Sequence, residues 1–180
     1  LEKAIQINKN FAEAYFNIAN VLQKTNNLDK AILNYKKAIK LNPNYFNAYL
    51  NLGNILLDRS NLKEANEIYN SALKINPRNA ELYYNLGNLC LKNNELTKAS
   101  NYFERAISIN NNHFESYFNL GIVLSKMGNN KKAIESYRIA IKINSNFFEA
   151  YNNLGKLFHN ERDYNEALKN YDKAIAIKTD

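Results

Sequence analysis

The chain has 180 residues, 46% of them apolar and 23% charged, with a formal net charge of +7, one cysteine and 35 asparagines. A single cysteine rules out a disulfide scaffold, no run of about eighteen apolar residues offers a membrane span, and no charged-then-apolar segment opens the chain as a secretory signal. None of the asparagines falls in an Asn-x-Ser/Thr acceptor, which favours an intracellular setting, cytoplasmic or nuclear.

In chain order, Leu1 to Phe11 read as the tail of a second helix, so the chain is expected to be cut from a longer protein. From Ala12 a thirty-four-residue pattern begins, and it returns at Phe46, Ala80, Phe114 and Phe148. The chain then reads as one elongated domain, 1–180, made of a partial repeat 1–11 and units 12–45, 46–79, 80–113, 114–147 and 148–180.

Each unit opens on a predicted first helix. Tyr49, Leu52, Gly53 and Leu56 fall at i, i+3, i+4 and i+7, which places them on one helical face. The aromatic column is Tyr15, Tyr49, Tyr83, Tyr117 and Tyr151, and the last apolar column is Leu22, Leu56, Cys90, Leu124 and Phe158, so the Cys90 thiol is expected to pack rather than react. Between them stand Ala19, Gly53, Gly87, Gly121 and Gly155. A helical glycine costs about 1 kcal/mol against alanine, so four in register predict a close helix approach.

A tight turn follows, with Asn26, Ser60, Asn94, Gly128 and Arg162 where a left-handed residue suits. Leu28, Leu62, Leu96 and Tyr164 come next, replaced in the fourth unit by Asn130, so that unit is expected to be the loosest. The second helix repeats Ala31, Ala65, Ala99, Ala133 and Ala167, then Tyr35, Tyr69, Phe103, Tyr137 and Tyr171, then Ala38, Ala72, Ala106, Ala140 and Ala174. Small beside large at helical spacing lets two helices interlock. Pro43 and Pro77 close the first two units.

The order Tyr-x-x-Leu-Gly, Ala, Tyr, Ala, Pro at this period resembles the tetratricopeptide (TPR) repeat over the whole chain. The departures are Asn130 and the residues Asn111, Ser145 and Thr179, which stand in place of the closing proline. The resemblance implies an all-α right-handed α-solenoid superhelix of stacked antiparallel helical hairpins, serving as a non-catalytic protein-interaction module. An array of this kind is expected to expose apolar end faces, Leu1, Ile5 and Ile7 at one end and Leu168, Tyr171 and Ile175 near the other, and to self-associate end to end.

No catalytic, metal or cofactor chemistry is legible. His113 and His159 lie far apart with no Cys or carboxylate set at ligand spacing, and no phosphate-cradling loop or nucleophile elbow occurs. The positive charge comes largely from second-helix residues such as Lys36, Lys37, Lys40, Lys131, Lys132, Arg138 and Lys142, interleaved with Glu and Asn as on a solvated outer face. Nucleic-acid binding through that basic outer face is the alternative function, and the sequence disfavours it because the tyrosines occupy core columns rather than platforms in a basic groove.

At about 100° per residue, first-helix places 2, 6, 9 and 13 lie opposite the core places. Place 6 is Asn17, Asn51, Asn85, Asn119 and Asn153; place 9 is Asn20, Asn54 and Asn88, then Ile122 and Lys156. Lys24, Lys92 and Lys126 at place 13, with Glu81 and Glu115 at place 2, form the rim of this stripe. By the TPR resemblance it faces the concave groove, and the asparagines resemble the ladder of the TPR arm of O-linked N-acetylglucosamine transferases, which holds extended peptides by their backbones. An amide offers donors and an acceptor together and suits that task. The resemblance therefore implies proteins or extended peptides as partners, with no membrane, cofactor or metal. Alanine at Asn51, Asn85 and Asn119 is expected to leave the fold intact, since these side chains should point away from the core. Apolar shoulders at Phe16, Leu50, Tyr84 and Phe118 are expected to pack between repeats, and no basic residue stands at the places a carboxylate clamp for chaperone tails would need.

Overall fold

The computed structural model describes residues 11–179, so the expected end-face residues Leu1, Ile5 and Ile7 lie outside the described part. Among the described residues the chain forms ten helices and no strand: α1 Ala12–Lys24, α2 Leu28–Leu41, α3 Phe46–Asp58, α4 Leu62–Ile75, α5 Ala80–Lys92, α6 Leu96–Ile109, α7 Phe114–Lys126, α8 Asn130–Ile143, α9 Phe148–Asn160 and α10 Tyr164–Thr179. Each first helix opens on the first residue of its thirty-four-residue unit. The chain divides between Leu82 and Tyr83, inside α5, into two compact units.

The turn between paired helices follows from its backbone. Asn26, Ser60, Asn94 and Arg162 adopt φ of 59°, 59°, 58° and 63°, and Gly128 adopts 79°. The next residue then donates back to the helix, Asn27 N to Leu22 O at 2.8 Å, Asn61 N to Leu56 O at 2.9 Å and Asn129 N to Leu124 O at 2.8 Å. This is the Schellman closure, which satisfies carbonyls that the helix end would otherwise leave unpaired. The left-handed residues expected from the sequence are therefore confirmed, including the unfavourable Ser60 and Arg162.

Second helices end by a different device. Asn42, Asn76, Asn110 and Asn144 lie just past α2, α4, α6 and α8, and each Oδ1 accepts the backbone N–H two residues on, at 3.1, 3.3, 3.1 and 3.2 Å. Such Asx turns halt a helix by offering the backbone another partner. Lys178 occupies the matching place in the fifth repeat, and there α10 runs on to Thr179.

In the first compact unit, α1 pairs with α2 and α3 with α4, while α2 also packs on α3. Tyr35 and Tyr69 are fully buried among Ala31, Ala38, Ala65 and Ala72. In the second, α6 to α10 each pack on the next helix in sequence, around Phe103 and a cluster of Ala133, Tyr137, Leu154, Leu157, Phe158 and Ala167. Burying an aromatic ring in this way contributes about 1.5–3 kcal/mol. The helical glycines now have their packing reason. A Cβ built on Gly53, Gly87, Gly121 or Gly155 would stand 2.3, 2.5, 2.6 or 2.8 Å from the ring of Tyr69, Phe103, Tyr137 or Tyr171, the aromatic of the same hairpin's second helix.

The column containing Asn130 differs from expectation. Leu28, Leu62, Leu96 and Asn130 are all half-buried as the first residue of their helices, and the outlier is Tyr164, 56% exposed and stacked on His159.

Candidate functional site

The asparagine stripe is built by the stacking of first helices, and its geometry departs from the expected one. Asn85 is buried, and Asn17, Asn51, Asn119 and Asn153 are half-buried, rather than pointing freely away from the core. The cause is that a helix in an array has two kinds of neighbour. Within each compact unit the face opposite its own second helix borders the first helix of the adjacent repeat, so Asn51 meets Asn20 and Asn119 meets Asn88 across that seam.

They meet by hydrogen bonds. In the first unit, Asn51 Nδ2 donates to Asn20 Oδ1 at 3.0 Å and to the Tyr35 hydroxyl at 3.3 Å. The Tyr35 hydroxyl, with one hydrogen to give, is shared between Asn20 Oδ1 at 2.6 Å and Gln23 Oε1 at 2.7 Å. One repeat later, Tyr69 donates to Asn54 Oδ1 at 2.7 Å. In the second unit, Asn119 Nδ2 donates to Asn88 Oδ1 at 2.7 Å, with Phe103 supplying no hydroxyl. Next along, place 9 is Ile122, which offers no amide, and Asn153 lies beside the Tyr137 hydroxyl. Asn17 makes no side-chain hydrogen bond among the described residues.

Tyrosine hydroxyls in this setting stay protonated. Burial pushes Tyr35 and Tyr69 up, with the Asp58 and Glu81 carboxylates adding to the effect at Tyr69, and burial raises Tyr137 to about 12 against a pull from Asn153. The neutral Tyr35 and Tyr69 hydroxyls donate to the Asn20 and Asn54 amide oxygens and so link the packed rings to the amides. Asn20, Asn51, Asn88 and Asn119 are half-exposed, so these amides remain partly open to solvent.

The rim residues Lys24, Lys92, Lys126 and Glu81 are exposed, and Glu115 is half-exposed with an oxygen 3.4 Å from His113 Nδ1. The shoulder places are packing residues. Phe16 stacks between Tyr35 and Tyr45 with centroids 5.8 and 4.8 Å away, Phe118 between Tyr137 and Phe147 at 5.8 and 4.7 Å, and Tyr84 between Phe103 and His113 at 6.0 and 5.0 Å. Cys90 is buried and its thiol is pushed up by burial, as a packed side chain should be. Part of the second-helix charge is neutralised, with Lys36 on Glu64 at 2.7 Å and Lys37 over the Tyr15 ring at 4.3 Å. Among the described residues no group of His, Cys, Asp and Glu could hold a metal, and no helix is long and apolar enough to cross a membrane.

Sequence reasoning missed the hydroxyl-to-amide link and the Asx turns. The signal for the first was present: Tyr35 and Tyr69 come with Asn20 and Asn54, whereas Phe103 and Ile122 each remove one half of the pair.

Comparison with known proteins matches this architecture. A family model described as TPR repeat matches residues 24–58, 53–94 and 126–161, and two described as Tetratricopeptide repeat match 80–113 and 148–178, and 1–32 and 102–135. A crystal structure of MamA is 31% identical with a TM-score of 0.81, covering 90% of this chain and 95% of that one. YrrB, described as a TPR protein with an unusual peptide-binding site, is 31% identical with a TM-score of 0.77, covering 99% and 92%. PilF of Pseudomonas aeruginosa, at 23% identity, shares the fold with a TM-score of 0.84, covering 92% and 75%. A search of curated proteins gives no match. The chain belongs to the tetratricopeptide repeat family and is an all-α protein-interaction module of helical hairpins.

Proposed function

We propose that the chain binds extended segments of partner proteins along the stripe of first-helix asparagines. The observation that carries this reading is the pairing of amides across neighbouring first helices, Asn20 with Asn51 in one compact unit and Asn88 with Asn119 in the other, all half-exposed. Neighbouring first helices in such arrays stand roughly 9–10 Å apart and an extended chain advances about 3.3 Å per residue, so one amide pair serves about every third peptide residue. Asn119, which gives one N–H to Asn88, has a second N–H and its own carbonyl oxygen to offer, whereas Asn51, which donates to both Asn20 and Tyr35, offers its oxygen. Those fit a peptide C=O and N–H, which recur whatever the side chains. The similarity to YrrB, itself described by a peptide-binding site, supports the same reading. A module of this kind suits either a recruiting arm of a larger enzyme, as in O-GlcNAc transferases, or a subunit of a protein scaffold.

A peptide array tests it, with wild type and an Asn51→Ala/Asn119→Ala variant compared at matched folded concentration. The variant should lose binding across many peptide sequences together, since backbone contacts carry little side-chain information. Replacing Lys24, Lys92 and Lys126 with glutamate should instead change which peptides bind, according to their charge. Equal binding of the same peptides by the alanine variant would refute the reading.

A further inference from the structure

The seam breaks at one point in the second unit, where Ile122 replaces the place-9 asparagine. Asn153 is left without its amide partner and lines the same cleft as the Tyr137 ring. A cavity of about 280 Å³ opens there between α7 and α9, walled by Ile122 and Leu157, with Tyr137 and Asn153 at its base and Lys126 and Lys156 at its mouth.

We propose that this cavity is a subsite for a carboxylate side chain, the glutamate or aspartate of an extended peptide laid along the first helices; this rests on the peptide-binding reading above. Size comes first. At about 280 Å³ the cleft has room for a peptide side chain. Charge comes second. Lys126 and Lys156 are both exposed and form no ion pair among the described residues, and no carboxylate lines the cavity. By contrast, Lys36, Lys98 and Lys169 each hold a carboxylate, at 2.7, 2.5 and 3.1 Å. A carboxylate in this cleft gains charge-assisted hydrogen bonds from lysines that line it without a carboxylate of the chain's own. Shape comes third. The methylenes of a glutamate lie on Ile122 and Leu157 while its carboxylate reaches the two ammonium groups and the spare N–H of Asn153. An apolar side chain would use the walls and ignore the mouth, and a cationic one would be repelled. Place 9 is Asn in the first three repeats, Ile122 in the fourth and Lys156 in the fifth, so a cation stands at this place only in the fifth repeat.

The test is a ¹⁵N NMR titration of the chain with two peptides, each acetylated and amidated so that no terminal charge is present. Both have the same alanine, serine and asparagine background, with glutamate at the centre of one and glutamine at the centre of the other. At low salt the glutamate peptide should bind about fivefold tighter or more, with the largest shifts at the Asn153 side-chain amide and the backbone amides of Ile122 and Lys156. The Lys126→Met/Lys156→Met variant keeps the side-chain stems and helix-forming residues, and circular dichroism checks its fold. It should bring the glutamate peptide down to the affinity of the glutamine peptide and leave the latter unchanged. Equal affinity of both peptides for the wild type overturns the subsite while peptide binding stands. If neither peptide shifts any first-helix amide, it is the peptide-binding reading that fails, and the subsite falls with it.

Discussion

Phe103 is the one buried second-helix aromatic without a hydroxyl, and Phe103→Tyr should stabilise the protein. Its ring leans on Gly87 much as Tyr69 leans on Gly53 and Tyr137 on Gly121, with built Cβ distances of 2.5, 2.3 and 2.6 Å. A hydroxyl at that place reaches Asn20 in the first repeat at 2.6 Å and Asn54 in the second at 2.7 Å, so in the third it should reach Asn88 Oδ1. That oxygen already accepts from Asn119 at 2.7 Å and has a second lone pair to offer. A formed hydrogen bond is worth about 0.5–1.5 kcal/mol net, whereas a buried hydroxyl without a partner costs about 1–3 kcal/mol, so the sign of the change decides. Urea unfolding followed by circular dichroism provides the midpoint, and the same substitution in an Asn88→Ala background should show no gain, closing a double-mutant cycle. A lowered midpoint in the wild-type background, or an equal gain without Asn88, would refute the link between hydroxyl and amide.

The other expectations can be checked with similar means. Asn51→Ala should lower stability by about 1–2 kcal/mol because it removes two hydrogen bonds, to Asn20 and Tyr35; an unchanged urea midpoint would show those bonds to be idle. Tyr137 titrates at about 12 in the folded chain against an ordinary 10.0. Its contribution, at most about 2–3 kcal/mol, is therefore whole below pH ~10 and lost as pH rises through ~12. Tyr137→Phe should flatten that alkaline limb of a stability profile, and an identical limb would refute the assignment. Asn130→Leu should raise the denaturation midpoint by about 1 kcal/mol, since it gains apolar burial at a half-buried place that holds leucine in three sister repeats; no gain would give Asn130 a role of its own. Leu168 and Ile175 are 62% and 61% exposed on α10, so light scattering should show self-association rising with concentration and suppressed by Leu168→Glu/Ile175→Glu. A strict monomer at all concentrations would refute it.

The helices and turns were legible because each signal repeated five times against a varied background. Tyr, Leu and Gly columns marked the first helices, and Asn26, Ser60, Asn94, Gly128 and Arg162 marked a backbone geometry that only the turn requires. The environment of the asparagines was less legible. A helical wheel knows a helix's own partner and nothing of the helix one repeat away, so Asn85 was placed outward when it is buried. Composition added a second obstacle. With 35 asparagines in the chain, Asn42, Asn76, Asn110 and Asn144 were indistinguishable from background until their side chains were seen closing helix ends. Tyr164 fell outside its column for a positional reason, since its neighbours in sequence match the other repeats but its side chain remains exposed.

The bonds between Asn20 and Asn51 and between Asn88 and Asn119 also constrain how strongly a partner could be held. A surface whose amides are partly engaged with one another trades contacts wherever a strand needs a group already in use, as at Asn51, giving up or sharing an internal bond there. The return on each residue of partner is then a small difference between similar terms, and firm attachment has to come from length. A short segment would come and go quickly, while a long one would be retained by many weak exchanges that rarely all reverse together. The same trade runs in the other direction. A partner lying along the seam would loosen the cross-links between neighbouring first helices, so occupancy and the stiffness of each compact unit would change together.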